Sequence, residues 1–284
     1  MSGYTIGAHV STAGGLYTAV DNAKKIGAQA LQIFGASPRQ WSAKIPEKAV
    51  IQKYQLELEK SKLGPVFLHA AYLVNLASPD EMTRAKSIAN LTIHLQIAEA
   101  IGAEGLIFHV GSGKEAPKDV AMGHVASGVK QVLKNAKGSA KIILENSAGG
   151  GQKLGSIAKE VGAILNLINS DRAKVCFDTA HAFEAGIIES YSKENIKKLF
   201  DEWDQEVGLE NFSALHVNDS KTVFNSHHDR HENIGEGYIG LEGFKNLANE
   251  KRINQLPWLL EVPGFDSTGP DKKNVDLLKD CFLV

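Results

Sequence analysis

Ser213-Ala214-Leu215-His216-Val217-Asn218-Asp219-Ser220-Lys221, then His227-His228-Asp229-Arg230-His231 and Gly235-Glu236-Gly237, is the stretch on which the reading of this chain turns. The run into His216 is short and apolar, so His216 belongs at the end of a strand. Asp229 and His231 stand two residues apart, a spacing that points both side chains one way in an extended or looped segment. Imidazole and carboxylate without thiolate suit Zn²⁺ or Mn²⁺ in a hydrolytic site better than a structural zinc knot. Alone, such a loop is no more than a solvated turn. What lifts it is the same chemistry at other strand ends.

Working outward, short apolar runs recur along the whole chain. Ile6–Val10, Ala30–Phe34, Val66–His69, Gly105–His109, Lys141–Glu145, Lys174–Asp178, Ser213–Val217 and Trp258–Glu261 read as strands. Between them lie helical patterns: from Ser11 or Thr12 to Ile26, from Pro46 to Lys62, from a Ser78-Pro79-Asp80-Glu81 capping box to Ile101, and from Val120 to Ala136. Further helices are expected over Ile157–Asn169, Ser192–Val207, Leu241–Glu250 and Asp271–Phe282. Near-continuous apolar strands alternating with helices imply a parallel sheet buried on both faces. Eight such units predict an α/β fold, a single (β/α)8 TIM barrel spanning residues 1–284, with its site at the C-terminal strand ends.

The bulk properties agree. The chain has 284 residues, is 43% apolar and carries a net charge of -2, so nothing global pulls it toward nucleic acid. Only Cys176 and Cys281 are present, which argues against a disulfide framework and for a reducing cytoplasm. No apolar run reaches membrane-spanning length, and Met1–Val10 lacks the pattern of a signal peptide. The Gly-rich stretch Ala148–Ser156 is not a P-loop, because Leu154 follows Lys153. No Rossmann fingerprint is present, so no nucleotide cofactor is implied.

The strand ends carry the functional signal. The runs finish at His69, His109, Glu145, Asp178, His216 and Glu261, with His181 just past the sixth strand and Asp229 and His231 in the loop after the seventh. A barrel brings those ends to one mouth. One zinc uses three or four protein ligands, so nine candidates imply a cluster, in which the central Glu145 could bridge two ions. Such a site activates water and clamps both oxygens of an in-line displacement at phosphorus. His9 also ends a strand and is expected beside the cluster; His94, His124, His227 and His228 are expected outside it.

These residues resemble the endonuclease IV family of apurinic/apyrimidinic endonucleases. The resemblance is carried by Ile6-Gly7-Ala8-His9-Val10-Ser11, Arg39-Gln40-Trp41, His69-Ala70-Ala71-Tyr72-Leu73-Val74-Asn75-Leu76, Leu144-Glu145-Asn146-Ser147-Ala148-Gly149, Asp178-Thr179-Ala180-His181-Ala182-Phe183, His216–Lys221, Asp229-Arg230-His231 and Gly235-Glu236-Gly237. It implies three zinc ions per chain, with Mn²⁺ as a substitute. His69 and His109 would hold one ion, with Glu145 bridging to a second that Asp178, His216 and Glu261 complete; His181, Asp229 and His231 would hold the third. It also implies cleavage of double-stranded DNA 5′ to an abasic site, leaving a 3′-hydroxyl and a 5′-deoxyribose phosphate, with a 3′-end phosphodiesterase side activity. Glu145 would orient the nucleophile, and Arg39, Tyr72 and Leu73 would enter the duplex and replace lost stacking. A monomer is expected. The chain departs from the family pattern at Val110, at Ala70-Ala71 and at Ala180, none of them a ligand position. A metal-dependent sugar isomerase or epimerase on a related barrel is the alternative, though it would leave His181, Asp229 and His231 with no ion to hold. A lesion binder without activity is a third.

Overall fold

A computed structural model describes residues 3–283. The first half of the chain runs β1 (Thr5–His9), α1 (Thr18–Lys25), β2 (Ala30–Phe34), α2 (Lys48–Ser61), β3 (Val66–His69), α3 (Glu81–Ile101), β4 (Gly105–His109), α4 (Lys118–Asn135) and β5 (Lys141–Glu145). The second half runs α5 (Ala158–Ile168), β6 (Ala173–Asp178), α6 (Thr179–Glu184), α7 (Lys193–Glu206), β7 (Phe212–His216), a two-stranded hairpin β8 (Asp219–Ser220) and β9 (His231–Glu232), α8 (Gly240–Ala248), β10 (Pro257–Leu260) and α9 (Lys272–Asp280). Eight parallel strands close in the order β1-β10-β7-β6-β5-β4-β3-β2. The fold is therefore the expected TIM barrel.

Two cores follow from the two-residue period of a strand. Outward-facing residues such as Leu31, Leu68, Phe108, Leu144, Phe177 and Leu215 pack against the helices. Phe177 stacks edge-on to Trp203, with ring centroids 5.1 Å apart. Inside the barrel lies a separate apolar layer of Ala30, Phe67, Ile107, Ile143, Cys176, Ala214 and Leu259. Gly7 completes it, because a Cβ there would collide with the Leu259 side chain and the Ala30 backbone. Burial in this layer raises the Cys176 thiol to about 11, so it stays protonated.

Helix starts depart from expectation in two places. Residues 11–17 are not helical, and α1 begins at Thr18. Ser11 Oγ instead accepts from Ala13 N at 3.1 Å, and Gly14 and Gly15 take positive φ of 89° and 128°. A serine that can satisfy a nearby amide competes with helix formation. In α3 the cap is Asp80, which accepts from Thr83 N at 2.8 Å; Ser78 Oγ takes the amide of Asp80. The short α6 has no counterpart in the sequence reading.

Candidate metal centre

Two residues beyond the apolar layer, every barrel strand turns a polar side chain inward. Gly7, Ala30, Phe67, Ile107, Ile143, Cys176, Ala214 and Leu259 are followed at that interval by His9, Gln32, His69, His109, Glu145, Asp178, His216 and Glu261. Strand register holds this ring level: His109 pairs with Glu145, and Asp178 with His216. Glu145, Asp178 and His216 are fully buried, whereas the His109 and Asp229 side chains are 33% and 46% exposed. The donors thus grade from the barrel interior to an open mouth.

Glu145 sits at the centre. Its Oε1 lies 2.7 Å from His216 Nδ1, and its Oε2 lies 3.0 Å from His69 Nε2 and 3.4 Å from His109 Nε2. Three sets of donor atoms lie within 4.8 Å of one another: His69, His109 and Glu145; Glu145, Asp178, His216 and Glu261; and Asp178, His181 and His231. Asp229 joins the last, with its carboxylate oxygens 3.3 Å from His181 Nε2 and 3.5 Å from His231 Nε2. Asp178, like Glu145, therefore reaches two sets. It also caps α6, since its Oδ1 accepts from His181 N at 2.8 Å while Oδ2 faces the cluster.

These residues fit divalent cations. His69 Nδ1 donates to Ala70 O at 2.9 Å, His181 Nδ1 to Asn146 O at 2.9 Å, and His216 Nε2 to Gln32 Oε1 at 2.7 Å. Each bond protonates the outer ring nitrogen and leaves the inner one aimed at carboxylates, the arrangement that orients metal-binding imidazoles. The inner nitrogens of His181 and His231 are buried without a hydrogen-bond partner. Burial opposes charge on His181, yet Asp178 and Asp229 hold its pKa well above the ordinary value. Burial likewise opposes ionisation of Glu145, but His109 and His216 hold it well below the usual carboxylate range. The pKa of His69 is also raised against burial, by its bond to Glu145, so a cation bound at His69 or His181 would displace a proton there.

Gln32, Asn146 and Asn218 are parts of the site that sequence reasoning does not single out. Gln32 Nε2 donates to Glu261 Oε1 at 2.6 Å. Asn218 Nδ2 donates to Asp178 Oδ2 at 2.7 Å, and its Oδ1 accepts from Glu261 N at 2.7 Å. Asn146 Nδ2 donates to Asp178 O at 3.0 Å. The available signal is Gln32 itself, a lone polar residue inside an apolar strand. His9 lies where expected, with Nδ1 3.4 Å from Glu261 Oε1. His94 is buried in α3 and donates to Asn90 O at 2.9 Å, away from the cluster. Asp219, a buried residue of the hairpin strand β8, accepts from Gly235 N, Gly237 N and Ile239 N at 2.9–3.1 Å. A side chain at Gly237 would strike Ser220 O and the Asp219 carboxylate, which accounts for the Gly235-Glu236-Gly237 stretch.

The cluster opens into a cavity of about 710 Å³ lined by His69, His109, Tyr72, Asp229, Arg230 and Pro38, among others. A second hollow, of about 410 Å³, shares Tyr72, His109, His181 and Asp229. Tyr72 is 67% and Leu73 37% exposed on the loop after β3, and the Tyr72 ring meets Phe34 edge-on at 5.6 Å. Arg39 is exposed on the loop after β2. Tyr72 lines both hollows and Leu73 the second, whereas Arg39 follows Pro38 of the first. Val110 and Ala180 are buried, and Val110 Cγ2 lies against Gly155.

A family model described as a xylose isomerase-like TIM barrel matches residues 20–281, which puts the chain in that class of barrels. Among curated relatives, the probable endonuclease 4 of Halothermothrix orenii is 35% identical over 275 residues, covering 96% of this chain and 99% of that one. The crystal structure of endonuclease IV from Thermus thermophilus matches with a TM-score of 0.86 at 32% identity, covering 98% of this chain and 99% of that chain. The chain belongs to the endonuclease IV family. A D-tagatose 3-epimerase-like protein also matches, with a TM-score of 0.69 at 18% identity over 98% of this chain and 97% of that one, a likeness of fold alone. Among the described residues no helix is long and apolar enough to cross a membrane.

Proposed function

We propose that this chain is a DNA-repair endonuclease that hydrolyses the phosphodiester 5′ to an abasic site in duplex DNA, leaving a 3′-hydroxyl and a 5′-deoxyribose phosphate. The observation that carries the reading is the ring of inward donors whose imidazoles turn their free nitrogens onto Glu145, Asp178, Asp229 and Glu261. The named relatives support it. Residues 1–284 form one catalytic domain in this reading, acting as a monomer in the cytoplasm.

The residues divide the work. His69, His109, Glu145, Asp178, His181, His216, Asp229, His231 and Glu261 would hold three Zn²⁺, with Mn²⁺ as a substitute. Such cations would supply Lewis acidity and lower the pKa of bound water toward neutrality. Glu145, gripped on both carboxylate oxygens by imidazoles, orients the attacking water. Arg39, Tyr72 and Leu73 enter the duplex and fill the gap left in the base stack. The same centre, open on the mouth side, accepts blocked 3′ ends, which gives a 3′-phosphodiesterase side activity.

The test is incubation with a duplex carrying one abasic site, with and without a strong chelator, alongside metal analysis. A chelator-sensitive nick 5′ to the lesion, restored by Zn²⁺, is expected. Bound metal with no nick, together with turnover of free ketoses, would move the chain to the sugar isomerases.

A further inference from the structure

The excursion after β7 carries two of the donors, Asp229 and His231, yet most of residues 221–230 is exposed. His231 is fixed by the hairpin ladder, in which Ser220 pairs with His231 and Lys221 N donates to Arg230 O at 2.8 Å. Asp229 lies just beyond that ladder.

What ties this part of the loop down is the end of α6. Glu184, its last residue, is fully buried. Its main-chain oxygen accepts from His227 N at 2.9 Å. Its Oε1 accepts from Ser220 Oγ at 2.7 Å, from Arg230 N at 3.2 Å and from Thr222 Oγ1 at 3.4 Å. Phe183 beside it accepts from Asn225 N at 3.2 Å and meets the Phe224 ring edge-on at 5.7 Å. One carboxylate oxygen thus gathers both arms of the excursion, and one of its donors is the amide next to Asp229. His181 lies three residues earlier on the same helix.

We propose that Glu184 is a positioning residue for the outer cation, holding the post-β7 loop against α6 so that Asp229 stays 3.3 Å from His181. This rests on the reading that His181, Asp229 and His231 hold a cation. Glu184 touches no donor side chain itself; it acts through the amide of Arg230 and the hydroxyls of Ser220 and Thr222. A carboxamide offers the same acceptor oxygen, so glutamine substitutes for it, whereas alanine leaves the Arg230 amide without its acceptor and leaves Ser220 Oγ and Thr222 Oγ1 to bonds within the loop, such as those to Thr222 O and Ser226 Oγ.

The experiment loads the full chain with Zn²⁺ alone and titrates it against a chromophoric chelator, comparing wild type, Glu184→Gln and Glu184→Ala. In Glu184→Ala one equivalent of Zn²⁺ per chain is expected to bind about 10–100-fold more weakly, the other equivalents being unchanged. Glu184→Gln is expected to match wild type. The doubly substituted Ser220→Ala/Thr222→Ala chain, milder because the Arg230 amide bond survives, is expected to weaken the same equivalent and carries the test if Glu184→Ala does not fold. Equal affinity in all chains would overturn the proposal, as would a uniform weakening of every equivalent or failure of glutamine to rescue. Absence of Zn²⁺ from wild type would instead sink the functional reading, and the positioning role with it.

Discussion

Gln32 Oε1 accepts the Nε2 proton of His216 at 2.7 Å, across the barrel mouth and 184 residues away in sequence. That bond selects one tautomer of a fully buried imidazole and turns its Nδ1 toward Glu145 and Glu261, at 2.7 and 3.2 Å. The other end of the amide holds Glu261 Oε1 at 2.6 Å. Gln32 therefore orients two donors of one set. Replacing it by leucine leaves a buried N–H unpaired, at about 1–3 kcal/mol. Gln32→Leu is expected to lower Zn²⁺ affinity roughly 10–100-fold, read by chelator competition. Unchanged affinity would show that packing alone orients His216.

Glu145 lies within 3.5 Å of four imidazoles, those of His69, His109, His181 and His216, and has no exposure to solvent. Glu145→Gln keeps the shape but removes the charge and one acceptor oxygen. Its kcat on abasic duplex is expected to fall by at least about 10²–10³-fold, with affinity for the duplex retained. A gel-shift titration beside single-turnover nicking separates the two. Near-normal turnover would remove Glu145 from the chemistry.

Tyr72 and Leu73 project from the mouth while the donors lie beneath. Base stacking on such side chains is worth about 1–3 kcal/mol per base. The double change to alanine is expected to weaken abasic-duplex binding on the order of tenfold to a hundredfold, with full metal content. Loss of metal in that variant would mean the β3 loop supports the cluster instead of the substrate.

Burial raises the Glu184 carboxyl from 4.5 to about 7, against the opposing hydrogen bond from Ser220. Between those values the folded chain holds a proton that the unfolded chain has released, so stability from this group is fullest below pH 4.5 and is lost as pH rises toward 7. In metal-free protein, the wild-type melting temperature is expected to fall more steeply from about pH 5 to about pH 8 than that of Glu184→Gln, which cannot ionise. Parallel profiles would mean that the carboxyl titrates near its ordinary value.

Much of this architecture is legible in the sequence. Gly105–His109 and Lys141–Glu145 are apolar runs closed by a titratable residue, and their strand boundaries fall where the pattern puts them. A strand buried on both faces must be apolar throughout, so its polar terminus stands out. The start of α1 is not legible, because Ser11 satisfies a nearby amide as well in a turn as in a helix cap.

By itself, then, the chain determined eight buried strands, the alternating helices and the donor types at the strand ends, because local periodicity and residue chemistry are written in neighbouring positions. Only the closed barrel decided that Gln32 faces His216, that Asp178 Oδ2 faces His231, and that Glu184 gathers the loop bearing Asp229. Those contacts join residues that stand apart in the chain. Their partners are chosen by strand register and ring closure, which no local window of sequence contains.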